Sequence, residues 1–171
     1  MKIVIAGAGE VGSHLAKMLS GEANEITVID MRQDRLDALS ATTDVITVFG
    51  NPSAINVLQE AGVSHADLFI AVNPSDSQDV NIVSAMLAKK LGSKKATARI
   101  DNEEYLSYEN KYLFTEMGID LMFYPEKIAA GDCRPSQKDS IDRFDGFCKR
   151  KASDSGIQTG RKLFAAWNDN G

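Results

Sequence analysis

Short apolar runs and amphipathic stretches alternate along the first 130 residues of the chain. The apolar runs are rich in Ile, Val and Phe, which is typical of parallel strands that are covered on both faces. They predict strands near residues 2–6, 25–30, 44–49, 66–72, 95–100 and 119–124. The stretches between them repeat apolar residues at helical spacing. They predict helices near residues 10–20, 32–41, 52–61, 76–91 and 103–117.

Two local signals refine the helix ends. Asn51 followed by Pro52 predicts a capped start for the third helix, because proline suits the first helical position. Gly62, Gly92 and Gly118 each follow a predicted helix, where a left-handed residue commonly ends the helix.

Six strands joined by helical crossovers define the expected fold class. Such crossovers are right-handed and place helices on both faces of the sheet. We therefore expect an α/β fold with a Rossmann-like, doubly wound, parallel six-stranded sheet. Ligands of such sheets bind beyond the carboxyl ends of the strands.

The first strand ends in a glycine pattern, Gly7-Ala8-Gly9-Glu10-Val11-Gly12. The first glycine permits a tight turn, the second leaves room for a pyrophosphate, and the third lets the helix pack closely on the strand. Phosphates would then lie on the unpaired N–H groups at the helix N-terminus. Glu10 is either close to these phosphates or a first-turn acid that complements the helix dipole.

The second strand ends in an acid, Asp30, at the spacing of a residue that binds the adenosine ribose hydroxyls. Its carboxylate should repel a 2′-phosphate, so NAD(H) is favoured over NADP(H). Arg32 and Arg35 keep that preference from being absolute.

Other strand ends supply further candidates on the ligand side. Asn73 and Pro74 follow the fourth strand, as an ordinary loop or as a ligand contact. Arg99 ends the fifth strand, where its guanidinium could bind a phosphate or form an ion pair with a nearby acid such as Asp101.

Composition narrows the classes of partner. The net charge of −5 argues against a general nucleic-acid binder, and no apolar run reaches the roughly 20 residues that span a bilayer. We expect a cytoplasmic chain without direct membrane insertion.

Residues 131–171 contain no Glu and no Val, and their aromatic residues are too sparse for a core. We expect a domain over residues 1–130 and a poorly structured C-terminal extension over 131–171; one hypothesis is that this extension is not native to the domain.

The first 130 residues resemble the nucleotide-binding N-terminal (KTN or RCK) domain of TrkA-type potassium-uptake regulators. The matching segments occur in family order at residues 5–12, 14–16, 28–30, 57–62, 66–72, 97–100, 118–120 and 124–130.

The resemblance implies a regulatory subunit that binds NAD(H), with ATP or ADP at the same site, and controls a membrane potassium transporter. A TrkH-like transporting subunit and self-association to a dimer or tetramer are the implied partners, at the inner face of the membrane. The implied cofactor-binding residues are Gly7, Ala8, Gly9, Glu10, Val11, Gly12, Asp30, Asn73, Pro74 and Arg99. The family often has Thr or Ser where this chain has Asn73 and Pro74, and Pro74 lacks an N–H donor.

An NAD-dependent oxidoreductase is the alternative function. It would need a substrate site and a positioned proton donor or acceptor. The predicted sheet uses nearly all of residues 1–130, and no Tyr-x-x-x-Lys pair occurs in the sequence. We therefore expect no enzyme, no catalytic residue and no metal site.

Overall fold

A six-stranded parallel sheet organises the described part of the chain. The structure is a computed structural model and describes residues 1–21 and 23–124. The strands are β1 (Lys2–Ala6), β2 (Glu25–Asp30), β3 (Ile46–Phe49), β4 (Leu68–Ala71), β5 (Ala96–Arg99) and β6 (Leu121–Phe123). The helices are α1 (Glu10–Ser20), α2 (Gln33–Ser40), α3 (Ile55–Glu60), α4 (Gln78–Leu91) and α5 (Tyr108–Glu116).

The strand order is β3-β2-β1-β4-β5-β6. It reverses between β1 and β4, so the sheet is doubly wound and the predicted fold class is confirmed. Ala6 pairs with Ile29 on one side and with Ala71 on the other. The carboxyl ends of β1, β2 and β4 therefore meet at one edge of the sheet, where the glycine turn begins.

The core lies around β1 and β4 at the centre of the sheet. Residues 3–6 and 68–71 are all buried, and β2 contributes five further buried residues. Aliphatic side chains on both faces of these strands lose their contact with water, which is the main favourable contribution to folding. The central strands thus provide a rigid base for the turns at their ends.

Two predicted helices are wrong in their bounds. Asn51 and Pro52 do not start α3, which begins at Ile55 with Ala54 as its N-cap. The Asn51 side chain instead accepts hydrogen bonds from the backbone N–H and the hydroxyl of Ser53, at 2.9 and 2.7 Å. This local turn satisfies the polar groups that a helical start would have used.

The predicted helix over residues 103–117 is two elements. A 3-10 helix covers Glu103–Leu106, and α5 begins only at Tyr108, because Ser107 caps it by accepting a hydrogen bond from the Asn110 N–H at 3.4 Å. Similarly, a 3-10 helix over Ser75–Ser77 precedes α4, and one over Val63–His65 was not predicted.

The glycines at the predicted helix ends have the expected backbone: the φ angles of Gly62, Gly92 and Gly118 are 71°, 119° and 100°. Among the described helices, none is long and apolar enough to cross a membrane. Predictions for residues 125–171, including the domain limit at residue 130 and the C-terminal extension, lie outside the described residues.

Candidate nucleotide site

The turn between β1 and α1 depends on Gly7. Its φ is 111°, and its N–H donates to the Ile29 carbonyl at 2.8 Å. A Cβ at this position would lie 2.9 Å from the Asn73 backbone nitrogen and 3.0 Å from the Val72 carbonyl oxygen. Both the backbone conformation and the close approach of the β4 turn exclude a side chain here.

Gly12 lies directly against the same turn. A Cβ on Gly12 would be only 1.8 Å from the Gly7 carbonyl oxygen. The close helix–strand packing that the sequence predicted for this glycine is therefore present in the structure. The contact fixes the start of α1 over the turn.

The N-terminus of α1 is uncapped by side chains. Its N-cap is Gly9, in an extended conformation, and the cap makes no side-chain hydrogen bond. Glu10 is the acid of the first turn and is exposed. Backbone N–H groups at an uncapped helix start need another partner, and an anionic phosphate suits both their geometry and the helix dipole.

Asp30 joins the end of β2 to the glycine turn. Its side chain is buried, with a residue exposure of 6%. One carboxylate oxygen (Oδ2) accepts from the Ala8 N–H at 2.6 Å, and the other (Oδ1) accepts from the Arg32 N–H at 2.8 Å. A carboxylate oxygen has a second lone pair, so each can still accept from a hydroxyl group. The structure thus brings the predicted acid onto the predicted turn, and its contact with a ribose stays a prediction.

The two arginines after Asp30 differ in position. Arg35, on α2, has its Nη1 atom 3.9 Å from Asp30 Oδ2 and 3.7 Å from where a Cβ on Gly9 would lie. Arg32 instead binds Asp34 in solvent, with Nη2 2.7 Å from Oδ2 and Nε 3.2 Å from Oδ1. The hydrogen bond from Arg32 is the largest effect that lowers the pKa of Asp34. Only Arg35 therefore reaches the glycine turn.

The turn after β4 is held by Asn81 of α4. Asn81 Oδ1 accepts from both the backbone N–H and the side-chain amide of Asn73, each at 2.9 Å, and Asn81 Nδ2 donates to the Asn73 carbonyl at 3.3 Å. Both residues are buried, and Pro74 beyond them is exposed. The Asn73 backbone lies beside Gly7, whereas Pro74 is exposed to solvent.

Arg99 lies at the end of β5, one strand further from β1. Its Nη2 atom is 3.5 Å from Asp101 Oδ1, and both side chains are largely buried. The ion pair that the sequence analysis left open as an alternative is therefore present. Gln78 of α4 fixes the loop that follows, because its Oε1 accepts from the N–H groups of Asp101 and Asn102 at 2.9 and 3.0 Å.

Sequence reasoning missed Gln78 and Asn81. Both lie in the first two turns of α4 and hold the turns after β4 and β5 in place. The sequence holds a signal for Asn81, because its spacing from Ser84, Ala85 and Ala88 is helical. The structure shows that these four residues are the buried ones of α4. A polar amide on an inward face must find a hydrogen-bond partner, and the neighbouring strand end supplies it.

A doubly wound parallel sheet with a glycine turn and a strand-end acid defines a Rossmann-type domain. The chain belongs to the TrkA-N domain family, whose family model matches residues 3–125. The match includes every residue of the candidate site.

Two curated relatives illustrate the sequence similarity. A Trk system potassium uptake protein TrkA homolog of Archaeoglobus fulgidus is 38% identical over 128 residues, which are 74% of this chain and 28% of the relative. The Trk system potassium uptake protein TrkA of Haemophilus influenzae is 38% identical over 134 residues, 77% of this chain and 29% of the relative. The chain thus matches less than a third of the length of these relatives.

Solved structures share the fold. The TrkA-N domain of the inner membrane protein ybaL from Escherichia coli has a TM-score of 0.64 at 22% identity, over 77% of this chain and 92% of that one. The GsuK channel bound to NAD has a TM-score of 0.62 at 20% identity, over 75% of this chain and 22% of the other. GsuK bound to ADP has a TM-score of 0.61 at 20% identity, over 75% of this chain and 32% of that chain.

Proposed function

We propose that this chain is the nucleotide-binding regulatory domain of a potassium-uptake system. It binds NAD(H), and ATP or ADP at the same site, and controls a membrane potassium transporter from the cytoplasmic side. The observation that carries the proposal is the junction of Asp30 with the glycine turn, where a buried carboxylate accepts the Ala8 N–H beside an uncapped helix start.

In the proposed site the glycine turn and the start of α1 hold the pyrophosphate. Asp30 accepts hydrogen bonds from the adenosine ribose hydroxyls, in addition to the two backbone N–H groups that it already binds. Asn73, Pro74 and Arg99 line the part of the site beyond β4 and β5. The cofactor-binding set remains the one that the resemblance implies.

The relatives support the potassium assignment. Curated relatives that are 38% identical are named Trk system potassium uptake proteins. A channel of the same fold is described as bound to NAD and, in another structure, to ADP. A TrkH-like transporting subunit and self-association to a dimer or tetramer complete the proposal.

Regulation in this scheme is a shift between two conformations of the transporter complex. A nucleotide shifts such an equilibrium only by the difference between its affinities for the two states. A coupling of about 1–3 kcal/mol changes the equilibrium by roughly 5–150-fold.

Calorimetric titration with NADH, NAD, ADP, ATP and NADPH tests the proposal. We expect saturable binding of the adenine nucleotides, weakest for NADPH, with NADH and ADP in competition. Asp30→Asn should weaken NADH binding about tenfold, because an amide replaces an acceptor oxygen with a donor. Asp37→Asn is the matched control, since Asp37 is an exposed acid of α2 whose carboxylate accepts from the Gln33 side chain at 2.8 Å.

Two results would contradict the proposal. One is the absence of binding by any of the five nucleotides to folded wild-type protein. The other is oxidation of NADH with small carbonyl substrates, which would favour the oxidoreductase instead.

A further inference from the structure

The Arg35 guanidinium lies over the glycine turn, and in the described part of the chain it makes no short hydrogen bond. Its Nη1 atom is 3.9 Å from Asp30 Oδ2 and 3.7 Å from the Cβ position of Gly9. Within residues 1–21 and 23–124, this long ion pair is its one polar contact. A guanidinium has five N–H donors, so most of its hydrogen-bonding capacity is available.

Acidic residues adjoin the glycine turn that Arg35 approaches. Asp30 is buried beside Arg35, and Glu10, the residue after Gly9, is the acid in the first turn of α1. A dianionic phosphate that approached this turn would meet two carboxylates. The Arg35 charge offsets their repulsion at the place where the second glycine leaves the backbone open.

Arg32, in the same segment, differs from Arg35 because its guanidinium already binds a carboxylate. It forms a two-point contact with Asp34, and both side chains are more than half exposed. The Arg35 side chain is only 32% exposed, its charge lies beside the turn, and no described residue pairs with it as closely as Asp34 pairs with Arg32. The difference between these two arginines marks Arg35 as the one available to a ligand.

We propose that Arg35 is a ligand-binding residue of this site, which donates hydrogen bonds to a phosphate on the adenosine half of the bound nucleotide. The proposal rests on the proposed function, because it requires that the site holds a nucleotide. Two phosphates share this chemistry: the 5′-phosphate of ADP and NADH, and the 2′-phosphate of NADPH. Guanidinium–phosphate pairs are frequently bidentate, so lysine should replace Arg35 only in part.

The experiment compares Arg35→Ala with Arg32→Ala in the full chain. Affinities for adenosine, ADP, NADH and NADPH are measured by calorimetry, with adenosine titrated in displacement of ADP. We expect Arg35→Ala to weaken ADP and NADH about tenfold and adenosine less than threefold. Arg32→Ala should change each affinity less than threefold, and Arg35→Lys should recover part of the loss.

Salt dependence gives a second readout. Exposed charge pairs weaken as ionic strength rises. The affinity of the wild type for ADP should therefore fall between 50 mM and 500 mM NaCl, and Arg35→Ala should flatten that dependence. Thermal unfolding of each variant establishes that the comparison concerns folded protein.

The possible results distinguish a phosphate contact of Arg35 from an indirect role and from failure of the proposed function. A loss for NADPH alone supports a phosphate contact and places it at the ribose 2′ position. An equal loss for adenosine and ADP overturns the proposal, because Arg35 would then act by orienting Asp30. Unchanged affinities in Arg35→Ala also overturn it. If wild type and Arg32→Ala bind none of the four compounds, the proposed function itself fails.

Discussion

A methyl group placed on Gly9 tests whether the space above the glycine turn is a binding surface. Gly9 has φ −68° and ψ −170°, which an alanine can adopt. The nearest atom to its Cβ position is Arg35 Nη1 at 3.7 Å, an ordinary contact with a flexible side chain. The fold therefore accepts the methyl group, whereas a pyrophosphate that passes close to this backbone does not.

The expected change in the free energy of unfolding for Gly9→Ala is small. Alanine is a poorer N-cap than glycine by about 1 kcal/mol. Alanine also reduces the conformational entropy of the unfolded chain, which stabilises the folded protein by about 0.4–1 kcal/mol. We expect a net change within about 1 kcal/mol. Affinity for NADH and ADP should fall at least tenfold, or about 1.4 kcal/mol.

Gly12→Ala and Gly21→Ala are the controls for a methyl group that the fold cannot accept and for one that it accepts without effect. The Gly12 Cβ would lie 1.8 Å from the Gly7 carbonyl oxygen, far inside the roughly 3.5 Å of a normal contact, so we expect a loss of about 3 kcal/mol or more. Among the described residues, the atom nearest the Gly21 Cβ would be the Met18 carbonyl oxygen, at 3.7 Å, and the φ of −69° suits alanine. We therefore expect Gly21→Ala to lower neither stability nor binding.

Urea unfolding and calorimetric titration of the same preparations measure the two effects separately. The reasoning predicts that Gly9→Ala keeps its stability and loses nucleotide, and that Gly21→Ala keeps both. Wild-type affinity in a folded Gly9→Ala variant would refute it, because a ligand that tolerates the methyl group does not lie against this turn.

Two further predictions concern contacts away from the turn. Asn81→Leu should lower the free energy of unfolding by about 2–4 kcal/mol in urea titrations, because it leaves the buried N–H and carbonyl of Asn73 without their Asn81 partner. An unchanged urea midpoint would contradict the stabilising role of these hydrogen bonds. Burial is the largest effect on Asp120 and opposes its ionisation, but hydrogen bonds from Lys89, Lys95 and a backbone N–H outweigh it and lower its pKa. A lowered folded-state pKa adds stability that is present above the ordinary value of about 3.9 and is lost as the pH falls through the folded value. Asp120→Asn should therefore lower the melting temperature at pH 7, and below pH 4 its melting temperature should fall less steeply than that of the wild type. If the two proteins lost stability equally below pH 4, the contribution assigned to Asp120 would be refuted.

The sequence was sufficient for the fold because the signals of its strands and helices are local. Each predicted strand overlaps an observed one, and the bounds of β1, β2 and α1 are the predicted ones. Their apolar residues are consecutive or helically spaced, so periodicity alone identifies them. The errors at α3 and α5 arose where Asn51 and Ser107 use their side chains to form a turn or a later cap.

The candidate site was predictable in its backbone and less so in its side chains. The glycine turn and Asp30 follow from spacing along the chain, and the structure brings them together. The partners of Asn81 and Gln78 lie 8 and 23 residues away in sequence, and no periodic pattern links them. The different contacts of Arg32 and Arg35 likewise depend on where α2 begins, because Arg32 is its N-cap in an extended conformation and Arg35 lies in its first turn.

Selectivity among nucleotides in the proposed site follows from its charges rather than from its turn. The turn presents the same backbone N–H groups to the pyrophosphate of NAD(H) and to the phosphates of ADP and ATP, so it adds similar affinity for each. The site also contains three ionisable side chains near Gly9: Glu10, Asp30 and Arg35. Their electrostatic interaction with a ligand depends on how many phosphates the ligand carries. A regulator that distinguishes NADH from ATP at one site must therefore do so largely through these three side chains. Charge changes at Glu10 and Arg35 should alter the order of nucleotide affinities while leaving the fold intact, since Glu10 is exposed and Arg35 is partly exposed.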